Sequence, residues 1–321
     1  MCKKEYNNDI IYYHKNNIMS KYFDNKSAFL EPQVSEYGTS IVMTNVSKPK
    51  KTRYLNIDTR FTDDYQNTKV YNSPDKHTIT LPERINDVSS IKVSQIEIPL
   101  SFYNVSTCLG NNHLVVRSSS GNTVVNVIDG NYTGDYESLL FNNLTTDLRY
   151  SIDVNNYIKI INLSAVTTYT IDFAVDVSGN SDKYSLKSKL GWLLGFRNDK
   201  YTLGPSKSVV SESCIDFSPI RYLYLVLDEF SNSFPNSFSS FYSRSVMNKK
   251  ILARISLNSF NNHYKTLLSG NESNGVLVSD TRTYSGKVDI QRINVELVNE
   301  WGRTIDMNGL DYSFLLKIEH E

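Results

Sequence analysis

The sequence predicts a mainly β fold: a jelly-roll-like β-sandwich with an inserted small α+β module and an extended N-terminal arm. Three observations predict it. The first is composition. Ala occurs four times (Ala28, Ala165, Ala174, Ala253) and Tyr 22 times in 321 residues, while Asn is about as common as Lys and Arg together. Ala is the best helix former, and aromatic and β-branched residues suit strands. AT-rich codons favour the same residues, so the bias has two sources. The second is the stretch from Ser285 to Glu319, which reads as two long strands joined by a turn. Leu310, Tyr312, Phe314, Leu316 and Ile318 fall on one face, and Asp311, Ser313, Lys317 and Glu319 on the other, with Leu315 the exception. That period of two marks a half-buried strand. Gly302 and Asn308-Gly309 stand where the chain must reverse. The third is a count of about eight strand signals outside the module with long connections, which favours a jelly roll over a compact immunoglobulin-like domain.

In chain order, residues 1–52 read as the arm: polar, rich in Asn, Lys and Tyr, without a sustained period. It closes on the basic cluster Lys48, Lys50, Lys51 and Arg53. That cluster is either a contact for a partner with an acidic surface or a solvated linker. The β domain spans 53–321 and is interrupted by the module at 109–200. Tyr54, Leu55 and Ile57 open its first strand, and His77–Pro82 forms the next. Ile91, Val93, Ile96 and Ile98 alternate with a slip at Gln95, which predicts a bulge. Within the module, Leu114–Arg117 and Thr123–Ile128 flank a Ser-Ser-Ser-Gly turn, a hairpin signal. A helix follows, capped by Thr133 or Asp135, with Tyr136, Leu139, Leu140, Leu144 and Leu148 at helical spacing. Strands are expected over Asn156–Ile161 and Thr168–Val177. Gly191 and Gly195, set among large apolar residues in Lys189–Arg197, predict a tight corner. Beyond the module, Arg221–Asp228 is nearly all apolar, the mark of a central strand buried on both faces. Asn232–Asn248 reads as a long surface loop and Ile251–Leu257 as a strand. The strands at 285–319 are expected inside the core, leaving the arm as the free segment.

Charge excludes one class of behaviour. The 34 basic side chains balance 34 acidic ones, so no global field draws the chain to nucleic acid or an anionic membrane. No run reaches the roughly 18 apolar residues of a membrane span. The polar start, MCKKEYNND, lacks the apolar core of a signal peptide. Cys2, Cys108 and Cys214 are widely spaced, without metal-ligand or disulfide patterning. The five histidines (His14, His77, His113, His263, His320) are scattered, and a metal site needs converging ligands. Asp58, Asp63 and Asp64 surround Arg60; local Arg–Asp pairing explains them better than a cation site, because EF-hand spacing is absent. Cys108 and His113 bracket a turn rather than a nucleophile–base pair. Trp192 and Trp301, each beside a glycine, read as core anchors. The triplets Asn104-Val-Ser106 and Asn131-Tyr-Thr133 fit chance better than glycosylation. No catalytic, cofactor or metal residue is expected.

Five segments occur in a fixed order: Tyr54-Leu-Asn-Ile-Asp-Thr-Arg60, Asp129-Gly-Asn-Tyr-Thr133, Leu190-Gly-Trp-Leu-Leu-Gly-Phe196, Tyr222 through Phe230, and a last block from Gly286 through Gly302-Arg-Thr-Ile-Asp306 to Leu310–Phe314. Together, over residues 50–319, they resemble minor capsid or penton-type proteins of nucleocytoplasmic large DNA viruses and their relatives. The resemblance implies a jelly-roll structural protein of an icosahedral virion, without enzymatic activity and without a catalytic site to carry over. The implied partners are other capsid proteins, including the major capsid protein, and copies of itself, five in a penton. The implied setting is the virion capsid, assembled in the host cytoplasm. The alternative is a glycan-binding sandwich of the virion surface, using exposed Tyr, Asn and Ser of loops such as 231–248.

Overall fold

The structure, a computed structural model, describes residues 49–62, 76–132, 144, 146–182, 185–217, 220–230, 238–242, 245–257 and 264–321. It is mainly β, with curled antiparallel sheets consistent with a sandwich or jelly roll. The first sheet group contains β1 (Lys51–Asp58), β2 (Lys76–Pro99), β10 (Tyr222–Asp228), β13 (Ile251–Ser256), β14 (Leu267–Asn271), β15 (Leu277–Ser279), β16 (Arg282–Val298) and β17 (Ser313–His320). Its order is β1-β17-β2-β16-β10-β13-β15, with β14 also on β2.

The pivot of this sheet is β2. His77–Pro82 and Ile91–Pro99, expected as two strands, are one strand of 24 residues. One edge carries β17; the other carries β16 and then β14, so that Ile96 faces Phe314 on one side and Gly270 on the other. Leu315 pairs Gln95 while Leu316 pairs Val93, which leaves Ser94 extra. That is the bulge expected at Gln95, and it bends the strand between two layers. The sheet then curls back on itself. Between the stretches taken by β16 and β14, the Val93 N–H donates to the Ser279 hydroxyl of the edge strand β15 at 3.0 Å. A side chain thus takes over where the backbone ladder stops.

The strands at 285–319 are each as expected, but they do not pair with one another. β2 lies between them. Alternation shows which face of a strand is buried; it carries nothing about which strand lies alongside. Tyr312, Phe314, Leu316 and Ile318 are buried in the first core, whereas Leu310 lies exposed ahead of the strand. Gly302, Asn308 and Gly309 have positive φ, as the predicted reversals require.

Strand β10 explains its own apolar run. It is paired on both edges, by β13 and β16. Leu223, Leu225 and Leu227 enter the first core, while Tyr224 and Val226 pack in a smaller cluster with Met247, Ile251 and Val298. Both faces are covered, so neither is polar.

The second group lies within 113–210. β3 (His113–Ser118), β4 (Gly121–Asn126), β7 (Tyr169–Asp172) and β8 (Lys200–Leu203) form one sheet in the order β4-β3-β7-β8. β5 (Leu148–Ile152), β6 (Ile158–Asn162) and β9 (Ser208–Val210) form another. β11 (Phe241–Tyr242) and β12 (Ser245–Val246) pair with each other within the stretch expected as a surface loop. The predicted hairpin is β3–β4, with Gly121 at φ +135°. The expected helix falls on 133–143 and 145, outside the described residues. Its last position, Leu148, instead opens β5. Strands β5, β8 and β9 were not expected; they are short, and β9 shows only three residues of pattern.

This group has its own core, including Ile158, Ile160, Phe173, Leu190, Leu194 and Phe196. The predicted corner is tightly packed. A 3-10 turn (Leu186–Ser188) leads into α1 (Leu190–Leu193), a single helical turn. A Cβ on Gly191 would lie 2.4 Å from the Phe173 ring, and one on Gly195 (φ +92°) 2.0 Å from the Ser213 carbonyl oxygen. The Phe173 and Phe196 rings stack at 5.1 Å.

Candidate functional site

Of the predicted contact cluster, Lys48 lies outside the described residues. Lys50 and Lys51 are exposed. The ordered strand begins at Lys51, two residues before the expected boundary. Arg53 sits on β1 and donates to Glu83 at 2.9 Å, with both side chains largely in solvent. A pair of this kind contributes about 0.2–1 kcal/mol, so it leaves Arg53 able to exchange partners. Asp58 pairs with Arg60, accepting at 2.6–3.0 Å from its guanidinium. The Arg60 hydrogen bonds hold the Asp58 carboxyl below the usual carboxylate range. Local pairing is therefore observed for that couple; Asp63 and Asp64 lie outside the described residues. Asn104, read above as a chance triplet, is buried with a structural task. Its amide donates to the carbonyls of Tyr132 and Phe217 and its oxygen accepts from the Tyr132 N–H, at 2.9–3.1 Å. The Asp129-Gly-Asn-Tyr segment is thereby pinned to the second core.

A charged seam ties the two sheet groups. Lys189, at the corner, is 1% exposed. It donates to the Val175 carbonyl at 2.8 Å and pairs with Asp182. Asp182 also receives Arg303, from the β16–β17 connection, at 3.2 Å. The Arg303 guanidinium crosses directly over Gly110, where any side chain would collide with it. Burial lowers the Lys189 ammonium from its ordinary value, against the opposing pull of Asp182. His113 is buried beside this seam, its ring nitrogens 3.0 Å from Asn112 Oδ1 and the Val175 carbonyl, and burial lowers it too.

Next to the seam opens a cleft of about 510 Å³. Its walls come from both groups: Trp192 of α1, Arg221 and Tyr222 at the start of β10, and Glu300 and Trp301 in the turn after β16. The two tryptophans expected as core anchors are half-buried wall residues instead. Arg197 lies over Trp192 at 4.0 Å and Arg254 over Tyr222 at 4.3 Å. Sequence reasoning missed Arg221 and Glu300, because no local pattern separates a cleft residue from any other charged residue at a strand end. The pairing of each tryptophan with a tight glycine turn was the available signal.

Burial raises the Glu300 carboxyl above 4.5, only partly opposed by the Arg221 backbone and charge. An acid raised in the folded state keeps its proton while the unfolded chain has lost it. Stability therefore falls as pH rises from 4.5 through the raised value. Urea midpoints measured from pH 4 to 8 should show this component in the wild type and lose it in Glu300→Gln.

No family model matches the chain, and no curated protein matches it. Among solved structures it is similar to the mavirus penton protein, known from a selenomethionine crystal structure. That alignment covers 84% of this chain and 100% of the other, at 12% identity and a TM-score of 0.31.

Proposed function

We propose that this chain is a structural capsid protein of a large icosahedral DNA virus, in a minor capsid or penton position, acting by assembly rather than catalysis. One observation carries the reading: the ordered segments that resemble such proteins are the anchor points of the fold. Tyr54–Arg60 is β1 with its capped 3-10 turn, Tyr132 is the residue held by Asn104, and Leu190–Phe196 is the corner. Tyr222–Asp228 is the doubly paired strand, and the last block runs through β16 into β17. Their tasks are packing and register, which is what a rigid brick requires. The neighbours in this reading are the major capsid protein and other capsid subunits, with a homopentamer at the vertices. The exposed β1 edge and the basic residues from Lys48 to Arg53 meet them. The setting is the virion capsid, built in the host cytoplasm.

Quantitative mass spectrometry of purified virions tests this. The expected result is the chain at about sixty copies per particle, five at each vertex of an icosahedron. Hundreds of copies would move it to the facets. Absence from purified particles would overturn the proposal.

A further inference from the structure

His113 opens β3 at the seam between the two sheet groups and is 1% exposed. Both of its ring nitrogens face oxygen, Asn112 Oδ1 at 3.0 Å and the Val175 carbonyl at 3.0 Å. The Asn112 amide cannot turn over to offer its nitrogen instead. Its Nδ2 donates to Asp129 Oδ1 at 2.8 Å and to Thr107 Oγ1 at 2.9 Å, while the Thr107 hydroxyl gives its own proton to Asp129. Reversal would set the Asn112 oxygen against a carboxylate. A neutral imidazole has one N–H and satisfies one of the two oxygens; the imidazolium satisfies both.

Charge decides against the imidazolium at neutral pH. Lys189 and Arg303 oppose a proton on the ring, and Asp176 favours it. Asp182 lies between the two cations and pairs with each. Asp129 stands behind Asn112 and is half-exposed. The seam thus sets two cations against two carboxylates. A proton on His113 would add a charge without a partner, which is costly out of water.

This balance has one exit. The Lys189 side chain is 1% exposed and is held by the Val175 carbonyl as well as Asp182. The Arg303 side chain is 14% exposed and can carry its charge into water. Once Arg303 leaves, a proton on His113 restores two charges of each sign, and both waiting oxygens gain a donor. Proton uptake by His113 and release of Arg303 therefore favour one another, and the coupling is reciprocal.

We propose that the seam is an acid-released latch, in which protonated His113 takes over the charge of Arg303 and the second sheet group loses its ionic tie to the β16–β17 connection. Burial and the two cations hold the closed-state His113 below its ordinary 6.5. As pH falls through 6.5, the open state binds a proton that the closed state does not, so acid favours opening. The latch stands apart from the capsid reading.

The test uses the full chain with labelled histidine rings, titrated by NMR from about pH 7.5 to 5. The His113 signal is the one missing from His113→Gln. Hydrogen exchange, corrected for its intrinsic pH dependence, follows the turn amides of 299–304. In the wild type His113 should titrate below 6.5, and in Arg303→Gln it should bind its proton about tenfold more tightly. The turn amides should exchange faster as pH falls in the wild type but not in His113→Gln. Should His113→Gln fail to fold, variants of the other four histidines assign the signal, and the Arg303→Gln titration carries the test. Three results would overturn the proposal: a His113 that titrates at or above 6.5, a midpoint unmoved in Arg303→Gln, or turn amides as acid-sensitive in His113→Gln as in the wild type.

Discussion

Arg282→Ala is expected to lower the stability of the folded unit by about 3–5 kcal/mol, read as a fall in the urea midpoint. Arg282 begins β16 and is the largest fully buried side chain among the described residues. Its guanidinium donates to the Leu227 carbonyl at 2.9 Å, Glu229 Oε2 at 2.8 Å, the Lys250 carbonyl at 3.1 Å and the Ile251 carbonyl at 3.2 Å. One side chain therefore closes the end of β10, the start of β13 and the start of β16. Removing it strands the Glu229 carboxylate, itself 1% exposed at the side chain, without a counter-charge. It also leaves backbone carbonyls short of a donor. The same logic fixes the control. In Arg282→Met with Glu229→Leu no charge stays buried, and a buried ion pair replaced by apolar residues of similar volume is often neutral. The double variant should recover most of the loss. A double variant as unstable as the single one would show that the carbonyl contacts, not the ion pair, dominate.

Gly195→Ala should be nearly as damaging, at roughly 3 kcal/mol or more, since it adds a left-handed strain of about 1–3 kcal/mol to an overpacking cost of similar size. The added methyl would meet the Ser213 carbonyl oxygen at 2.0 Å and its carbon at 2.8 Å. Backbone has no rotamer to escape into. The segment around Ser213 is held in turn, since its N–H donates to the Gly195 carbonyl at 3.0 Å. The loss should concentrate in the second sheet group. Hydrogen exchange should show protection falling for amides of β6 and β9 while β2 and β17 keep theirs. Uniform loss across both groups would mean that the two cores melt as one.

These two sites differ in how they announce themselves. Gly195 was legible: a glycine between Leu194 and Phe196 has to be explained by geometry, and the corner was expected. The bulge beside Gln95, the hairpin at 113–126 and the apolar strand at 222–228 were legible for the same reason, because each breaks or extends a local period. Arg282 was not. It reads as one more charge at a strand start, and only the curl of the sheet brings Glu229 to it from 53 residues away. The neighbours of β2 were hidden likewise. Period two is satisfied whether β16 lies beside β17 or beside β2, so the choice rests on long-range packing. For the candidate site the balance is worse. The basic cluster was visible as composition, whereas the cleft exists only once Trp192 and Trp301, 109 positions apart in the numbering, share a wall.

The place of β17 between β1 and β2 has a consequence in time. Ser313 bonds Glu97 across 216 residues of sequence, and a ribosome adding about 5–20 residues per second needs roughly 10–40 s to cover that interval. Throughout it, β1 and β2 have been made, yet each must keep open the edge that β17 will fill. Two long strands with free edges are the template on which chains stick to one another. This sheet is thus completed by a strand made 216 residues after the one it joins. Crowded synthesis of many copies is the moment at which this subunit is most exposed to pairing with the wrong one.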